Sequence, residues 1–547
     1  VSLEAGVNIA SHLPAMARRQ PDSTAVVLWS GESLTFKELD EASGALARGL
    51  ESVGIGRGVR AVLMVKPSLD FFTLTFALFK CGAVPVVVDP GMGLANLGIC
   101  LAEAQPEAFI GIPQAHAARI LFKWAKGMIR TKVTVGRRWF WGGHTLEDVS
   151  LRGRADGDYV PASTAADETA AILFTSGSTG VPKGAVYTHG NFSAQVEMIR
   201  ETYAIEPGEK DMPTFPLFAL FDPALGMSAV IPKMDATRPA HVKPENIIKP
   251  ILRHGVTNMF GSPALIDKVG RYGEAHGVAL PSLKRAISAG APMPARVLER
   301  FSKMLSPKAQ VFTPYGATEA LPVCSIGSAE VLSEAREKTE QGAGICVGRP
   351  VNGMTVEVIR ISEEPIKKWN EALLVPRGEV GEIAVKGPVV TRSYFNREAA
   401  TELAKIAVPG STDFYHRMGD LGYFDDEGRL WFCGRKSHRV IAGGAGGETY
   451  YTIPCEGVFN AHPKVYRSAL VGARHRSEIE PVLVVELEAD ARESKGLRRE
   501  LLELGAARPH TKKIRTLLFH KSLPVDIRHN SKIFREKLAL WATERLR

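Results

Sequence analysis

One stretch of the chain, ILFTSGSTGVPKG over residues 172–184, packs four hydroxyl side chains, three glycines and a lysine into ten positions. Thr175, Ser176, Gly177, Ser178, Thr179 and Gly180 follow an apolar run with strand character and lead to Lys183. Glycines admit positive φ and let several N–H groups turn toward one point, while hydroxyls and an ammonium add donors and charge. That chemistry suits a polyphosphate. The spacing from Gly177 to Lys183 approaches the G-x-x-x-x-G-K-[ST] pattern, but Pro182 stands where the second glycine belongs and Gly184 replaces Ser or Thr. The following GAVYTH reads as a strand, so a P-loop NTPase fold is disfavoured. A plain Ser/Gly surface turn is the bland alternative, and the density of donors weighs against it.

The elements that must hold such a loop are legible in outline. Short β-rich runs recur at 25–29, 60–65, 84–89, 171–175 and 285–288, each bounded by turn residues or a helical pattern. One helix is predicted over 69–80, where Phe72, Phe76 and Phe79 repeat at i, i+4, i+7. Alternation of this kind predicts a layered α/β body. A charged run at 435–439, followed by GGAGG at 443–447, marks the main boundary: residues 1–436 form a large N-terminal body and 437–547 a small unit. The small unit has strand-like runs at 468–471 and 482–488 and helical patterns at 497–504 and 534–546, hence an α+β fold.

Composition bounds the rest. With 547 residues, 45% hydrophobic and 23% charged, the chain matches a globular protein of several packed units and not a disordered or fibrous one. Its apolar runs fall short of the roughly 18–20 residues a spanning helix needs. Residues 1–6 hold one acid, no base and no lead into a long apolar run, so no secretory signal is expected and a cytoplasmic location is. Six scattered cysteines include no C-x-x-C pair, which predicts free, mostly buried thiols. From residue 437 on there are 20 Lys and Arg against 13 Asp and Glu, leaving 48 against 46 before it. The dispersed basic excess lacks interleaved aromatics and predicts no nucleic-acid partner.

At the TSGSTGVPKG loop the sequence resembles the adenylate-forming superfamily of acyl-CoA synthetases, luciferases and peptide-synthetase adenylation domains. The resemblance continues in order along nearly the whole chain. LTFKELD from residue 34 and FALFKCGAVPVVVDP from 76 look like its early segments. SAGAP at 288–292 and YGATE at 315–319 look like its nucleotide-site segments. GEIAVKGPVVTRSYFN at 381–396, MGDLGYFDDEGRLWFCGR at 418–435 and NSKIFR at 530–535 complete the series.

The resemblance implies ATP and Mg²⁺ as cofactors and assigns roles that fit residue chemistry. Glu319 would hold Mg²⁺, a hard cation that prefers carboxylate oxygen. Thr318 would bond a phosphate, Tyr315 offers a face on which adenine stacks, and the backbone of Gly290, Ala291 and Pro292 lines the other side of the base. Asp420 would accept both ribose hydroxyls and Arg435 would reach the ribose or α-phosphate. Lys532 resembles the C-terminal lysine that bridges carboxylate and α-phosphate during adenylation, completing a catalytic set with Lys183, Thr318 and Glu319. Taken singly, these are a surface acid, a core aromatic, a turn acid and solvated cations; their place in the ordered series raises them. Because Lys532 lies in the small unit, that unit is expected to act as a mobile lid over the large one.

Departures from the superfamily pattern narrow the reading. Ser437 replaces the Asp or Lys common at the hinge, Ile441 stands where a lysine is often found, and Ala219 follows PLF where acyl-CoA synthetases commonly carry His. These put a thiol-acylating rotation and the usual thioester-forming arrangement in question. With PTFPLFALFDPALG and LPVDIRHNSKI, they most resemble the β-lactone synthetases of bacterial long-chain olefin biosynthesis. That resemblance implies adenylation of a 2-alkyl-3-hydroxy fatty acid and capture of the acyl adenylate by its own 3-hydroxyl. Other olefin-pathway enzymes are then possible partners. The nearest rival is a long-chain fatty acyl-CoA or acyl-AMP ligase; a non-catalytic nucleotide-binding protein is the rival from another class. His189 receives no lactone role, and Asp222 reads as a turn-forming residue before Pro223 more readily than as a base. Residues 123–141, with six basic side chains and four aromatics, read as a solvated helix and turn before a docking surface.

Overall fold

The helix Leu69–Lys80 shows how the body is layered. Ser68 caps it, its hydroxyl accepting the Phe71 N–H at 3.2 Å, and nearly every following side chain is buried. Phe72, Phe76 and Phe79 join one apolar cluster, while Leu74, Ala77 and Leu78 join another on the opposite face. The sequence predicts the first face; the second follows because protein lies on both sides of the helix. The computed structural model describes residues 7–155, 157–175, 182–443, 446–476, 478–526 and 532–546.

Two seven-stranded sheets, parallel except at one edge pair each, make the first layers. One runs Gln310–Phe312, Arg285–Ile287, Asn258–Phe260, Lys210–Pro213, Ser228–Ile231, Thr24–Leu28 and Ser33–Thr35. The other runs His144–Thr145, Thr131–Thr134, Ala108–Gly111, Arg60–Met64, Val84–Val87, Thr169–Thr175 and Lys183–Thr188. In the second sheet the central strands Ala108–Gly111, Arg60–Met64 and Val84–Val87 read as nearly continuous apolar runs, as expected where helices cover both faces. An eight-stranded antiparallel sheet spans Tyr315–Ala317 to Leu430–Arg435, and a three-stranded sheet pairs Val465–His475, Glu478–Leu487 and Thr516–Phe519. The fold is α/β with several sheets in the N-terminal body and a small α+β C-terminal unit. All six cysteines are free and buried. Among the described residues no helix is long and apolar enough to cross a membrane.

Residues 123–141 correct the sequence reading. The helix Pro113–Leu121 stops before them; Lys123 and Ala125 take φ of 55° and 46°, which ends helical geometry, and Thr131–Thr134 is a strand paired in parallel with Ala108–Gly111. Trp124 and Trp141 are buried in this arrangement, while Trp139 and Phe140 face outward.

Candidate active site

Hairpin registers bring the polar residues together. Thr175 at the end of Thr169–Thr175 pairs with Lys183 at the start of the antiparallel return strand, so the lysine stands at the exit of the glycine and hydroxyl loop. Ser176, Gly177, Ser178, Thr179 and Gly180 lie outside the described residues. Thr318 and Glu319 form the two-residue turn between Tyr315–Ala317 and Ala320–Ser325, with Ala317 opposite Ala320. Both turn carbonyls are tied down: Thr318 C=O accepts the Tyr187 hydroxyl, and Glu319 C=O accepts the Thr391 N–H at 2.9 Å. Tyr394 completes this corner by donating its hydroxyl to Glu319 Oε1 at 2.7 Å, while Lys183 Nζ sits 5.0 Å from the centre of its ring. Beneath it Lys405 donates to Thr391 C=O; loss of solvent pushes its ammonium down to about 7, opposed by the charge of Glu319.

Asp420 and Arg435 are cross-strand partners of Phe414–Phe424 and Leu430–Arg435, which sets their ion pair at 2.8 Å. Tyr315 donates its hydroxyl to the other Asp420 oxygen at 2.7 Å, and the Arg435 guanidinium also reaches Met418 C=O at 3.0 Å. Burial and the Asp420 charge hold the Tyr315 phenol far above its ordinary value, so it stays a neutral donor. Asp420 charge first, with burial opposing, holds Arg435 protonated. Gly290, following the strand Arg285–Ile287, takes φ of 97°, which a side chain resists, and turns the 288–292 backbone toward the same space.

These groups line one cavity of about 1650 Å³. Lys183, Gly290, Ala291, Pro292, Tyr315 and Thr318 face it, as do Glu319, Asp420, Arg435 and Lys532. Lys532 comes from the C-terminal unit, where Asp526 brackets its backbone. Lys532 N–H donates to Asp526 Oδ1 and Asp526 N–H donates to Lys532 C=O, both at 3.0 Å. The C-terminal unit also meets the body through Arg296, whose guanidinium donates to Val465 C=O and pairs with Glu488 at 3.1 Å.

The same cavity runs into an apolar room walled by Phe71, Phe76, Phe79, Phe192, Phe218 and Phe260. Ring contacts such as Phe218 with Phe260, centroids 4.5 Å apart, stiffen its wall. Ala219 is buried in the short helix Pro216–Leu220 and brings no titratable group to that wall. A polar end with fixed donors joined to a phenylalanine-walled room fits a nucleotide and an apolar acid side by side.

The AMP-binding enzyme family matches residues 13–395. The chain belongs to that family. An olefin beta-lactone synthetase from Xanthomonas campestris pv. campestris is 50% identical over 552 residues, covering 98% of each chain. One from Stenotrophomonas maltophilia is 49% identical over 553 residues, again covering 98% of each. Among solved structures, an amide bond synthetase from Marinactinospora thermotolerans superposes with a TM-score of 0.80 over 98% of this chain and 99% of its own, at 21% identity, a likeness of fold.

Several carboxylates border the cavity, among them Glu319 and Asp420, and Asp420 is already paired with Arg435. Glu319 Oε1 takes the Tyr394 hydroxyl, and among the described residues no group of three or more His, Cys, Asp or Glu is arranged to hold a metal. A single hard oxygen donor fits Mg²⁺, which keeps several waters and shares phosphate oxygens instead of filling a protein cage. Tyr394, Tyr187, Thr391, Lys405 and Asp526 were not singled out from the sequence. Tyr394 and Thr391 had a signal, since both lie inside the family-like run 381–396, and Asp526 lies inside LPVDIRHNSKI; Tyr187 and Lys405 act on backbone carbonyls, which sequence does not display.

Two residues weighed from the sequence lie off the cavity. His189, fully buried at the start of the helix His189–Tyr203, accepts the Ile9 N–H on Nδ1 at 3.3 Å. Burial pushes its pKa down to about 4, so the ring is neutral. Asp222 heads the short helix Asp222–Leu225, 1% exposed, with no partner for Oδ2. Burial, then the charge of Asp211, raises its carboxyl well above the ordinary 3.8. The unfolded chain therefore releases this proton first as pH rises, and the stability it contributes is full below about 3.8 and lost as pH climbs through the folded value. Asp222→Asn keeps the shape without ionising. Urea midpoints should show it more stable than the parent by about 1–2 kcal/mol at pH 8 and little changed at pH 4; a difference independent of pH contradicts the raised pKa.

Proposed function

We propose that the enzyme adenylates a 2-alkyl-3-hydroxy long-chain fatty acid with ATP and closes the acyl adenylate to a β-lactone. The observation that carries this reading is the joining, in one cavity, of the Lys183, Glu319, Asp420 and Arg435 end to a phenylalanine-walled room. Its near-full-length relationship to olefin beta-lactone synthetases at 50% and 49% identity supports the same chemistry. In the first step a carboxylate oxygen attacks the α-phosphorus and pyrophosphate leaves; Lys532 and Lys183 offset charge on the transferring group, and Thr318 donates to a phosphate oxygen. Bound at Glu319, Mg²⁺ would supply charge neutralisation for the phosphates. Asp420 accepts the ribose hydroxyls once Tyr315 and Arg435 share it, and Tyr315 presents its ring to adenine.

In the second step the 3-hydroxyl oxygen attacks the activated carbonyl, the bond to the AMP oxygen breaks, and the hydroxyl proton leaves to solvent or to AMP. The four-membered ring forms with release of AMP. Holding hydroxyl and carbonyl together in an apolar room favours this over attack by water. No thiol is required, in keeping with Ala219 where acyl-CoA synthetases commonly carry His. Residues 437–547 serve as the lid that delivers Lys532, with Ser437 at its hinge, and the dependence on ATP goes with a cytoplasmic location.

A long-chain acyl-CoA or acyl-AMP ligase shares every nucleotide contact, so the product decides. Incubation with ATP, Mg²⁺ and a 2-alkyl-3-hydroxy acid should yield lactone by mass spectrometry at the same rate with or without coenzyme A. Thiol-dependent turnover to a thioester, or release of the free acyl adenylate as the end product, contradicts the proposal.

A further inference from the structure

One face of the N-terminal body combines protruding apolar side chains with exposed basic charge. Phe140 is 78% exposed, Leu121 74% and Trp139 51%, values uncommon for such large side chains. Their outward pose is enforced from beneath. Trp141 is buried, stacked on His116 with centroids 5.2 Å apart, its Nε1 donating to Thr134 Oγ1 at 2.9 Å, while Lys132 Nζ donates to its carbonyl at 2.9 Å. With the end of the RRWFW run pinned in this way, Trp139 and Phe140 each rest on the Trp141 ring, centroids 5.2 and 5.4 Å away, and turn their outer faces to solvent. Trp124 is a second anchor: it packs on Gly98, where a Cβ would come within 3.1 Å of its ring, and stacks on half-exposed Phe122. The helix bearing Gly98, Leu94–Ala104, adds Leu94 and Ile99, 54% and 44% exposed.

Basic residues surround these side chains. Lys123, Lys126, Arg137 and Arg138 are exposed, as is Arg130. Among the nearby acids, Glu107 takes Arg60 at 3.1 Å and Arg130 at 3.8 Å, the Asp148 carboxylate accepts the Thr145 N–H at 3.0 Å, and Asp70 and Glu147 share a small surface pocket with Arg137 and Arg138. Rings at headgroup depth beside lysines and arginines are the composition of a surface that sits on anionic lipid. The centre of a protein–protein interface is depleted of Lys and presents pockets that accept anchors, whereas these rings stand out from the surface. A bilayer takes protruding rings without a matching shape.

We propose that this face docks the protein on an anionic lipid bilayer, with Trp139 and Phe140 entering the acyl-chain boundary and Lys123, Lys126, Arg137 and Arg138 facing lipid phosphates. Two weak signals, apolar insertion and charge, combine to give reversible attachment without a spanning helix. The proposal depends on neither ATP nor the lactone reading.

The test is sedimentation of the full chain, without ATP, on phosphatidylcholine vesicles with and without phosphatidylglycerol. Binding is expected to the phosphatidylglycerol vesicles, with a blue shift of tryptophan fluorescence, and to weaken as salt is raised. The double variant Trp139→Ser, Phe140→Ser should lower partitioning about tenfold, and Arg137→Glu with Arg138→Glu should abolish the preference for phosphatidylglycerol. ATP–pyrophosphate exchange should be unchanged in both, which reports that they fold; Phe140→Ser alone is the milder variant. Failure of the parent to bind phosphatidylglycerol vesicles, or binding that all three variants leave intact, overturns the proposal. Loss of a protein complex in these variants while the parent ignores vesicles also overturns it and assigns the face to a protein partner.

Discussion

Lys532→Ala is expected to slow acyl-adenylate formation, read as ATP–pyrophosphate exchange, by about 10²–10³-fold, the range seen when one preorganised donor to a developing charge is removed. The structure gives the reason for so large an effect from a single exposed-type cation. Lys532 lies in the C-terminal unit, yet it faces the cavity shared by Glu319, Asp420 and Arg435. Its backbone is bracketed by both hydrogen bonds to Asp526. Arg535, three residues on, pairs with buried Glu456 and fixes the start of the terminal helix Arg535–Arg545. These bonds hold the backbone that carries Lys532 at the cavity, and the proposed role of its ammonium is toward charge that develops as pyrophosphate leaves. ATP affinity should therefore change by much less than the rate. Conversion of presynthesised acyl adenylate to lactone should be nearly normal in the variant, because the proposed role of the lysine is in pyrophosphate departure. Exchange at the parent rate would remove Lys532 from the mechanism.

Glu319→Gln should cost a similar factor, about 10²–10³-fold in kcat, with a raised requirement for Mg²⁺. Glutamine preserves the length and still accepts the Tyr394 hydroxyl that now sits 2.7 Å from Oε1, so the loss isolates the negative charge. The turn itself is secured by the Tyr187 and Thr391 bonds to its carbonyls and should survive. Tyr394→Phe provides the comparison. It removes one hydrogen bond to a carboxylate but leaves the ring beside Lys183, and should cost only several-fold. A Tyr394→Phe variant as impaired as Glu319→Gln would mean that placement of the carboxylate, and not its charge, is the limiting factor.

The sequence made the polar end of the site legible because its residues sit in turns and at strand ends, where the chain must spell out glycine, hydroxyl and charge locally. Thr318 and Glu319 are the turn of a hairpin, and Asp420 and Arg435 face each other across two strands whose spacing the run 418–435 sets. The apolar end was not legible in the same way. Phe76 and Phe79 repeat at helical spacing and read as core; both are buried, yet both also border the cavity. Periodicity reports which face of a helix leaves water, and a ligand room lined with phenylalanine leaves water as a packed core does. Residues that act through the backbone were invisible for a different reason. Lys405 steadies the carbonyl of Thr391, whose N–H in turn holds Glu319, a chain of contacts that no spacing rule connects. At 123–141 the basic and aromatic composition was visible, but the buried anchors Trp124 and Trp141 could not be told from the exposed Trp139 and Phe140 until the strand Thr131–Thr134 fixed the connection.

In the proposed reaction the carboxyl group, and not the hydroxyl, is activated before ring closure. Mass spectrometry of products from a 2-alkyl-3-hydroxy acid carrying ¹⁸O in both carboxyl oxygens tests this directly. One labelled oxygen should leave in the phosphate of AMP and one should remain as the lactone carbonyl, with unlabelled oxygen from the 3-hydroxyl in the ring. Both labels retained in the lactone, with unlabelled nucleotide product, would contradict it.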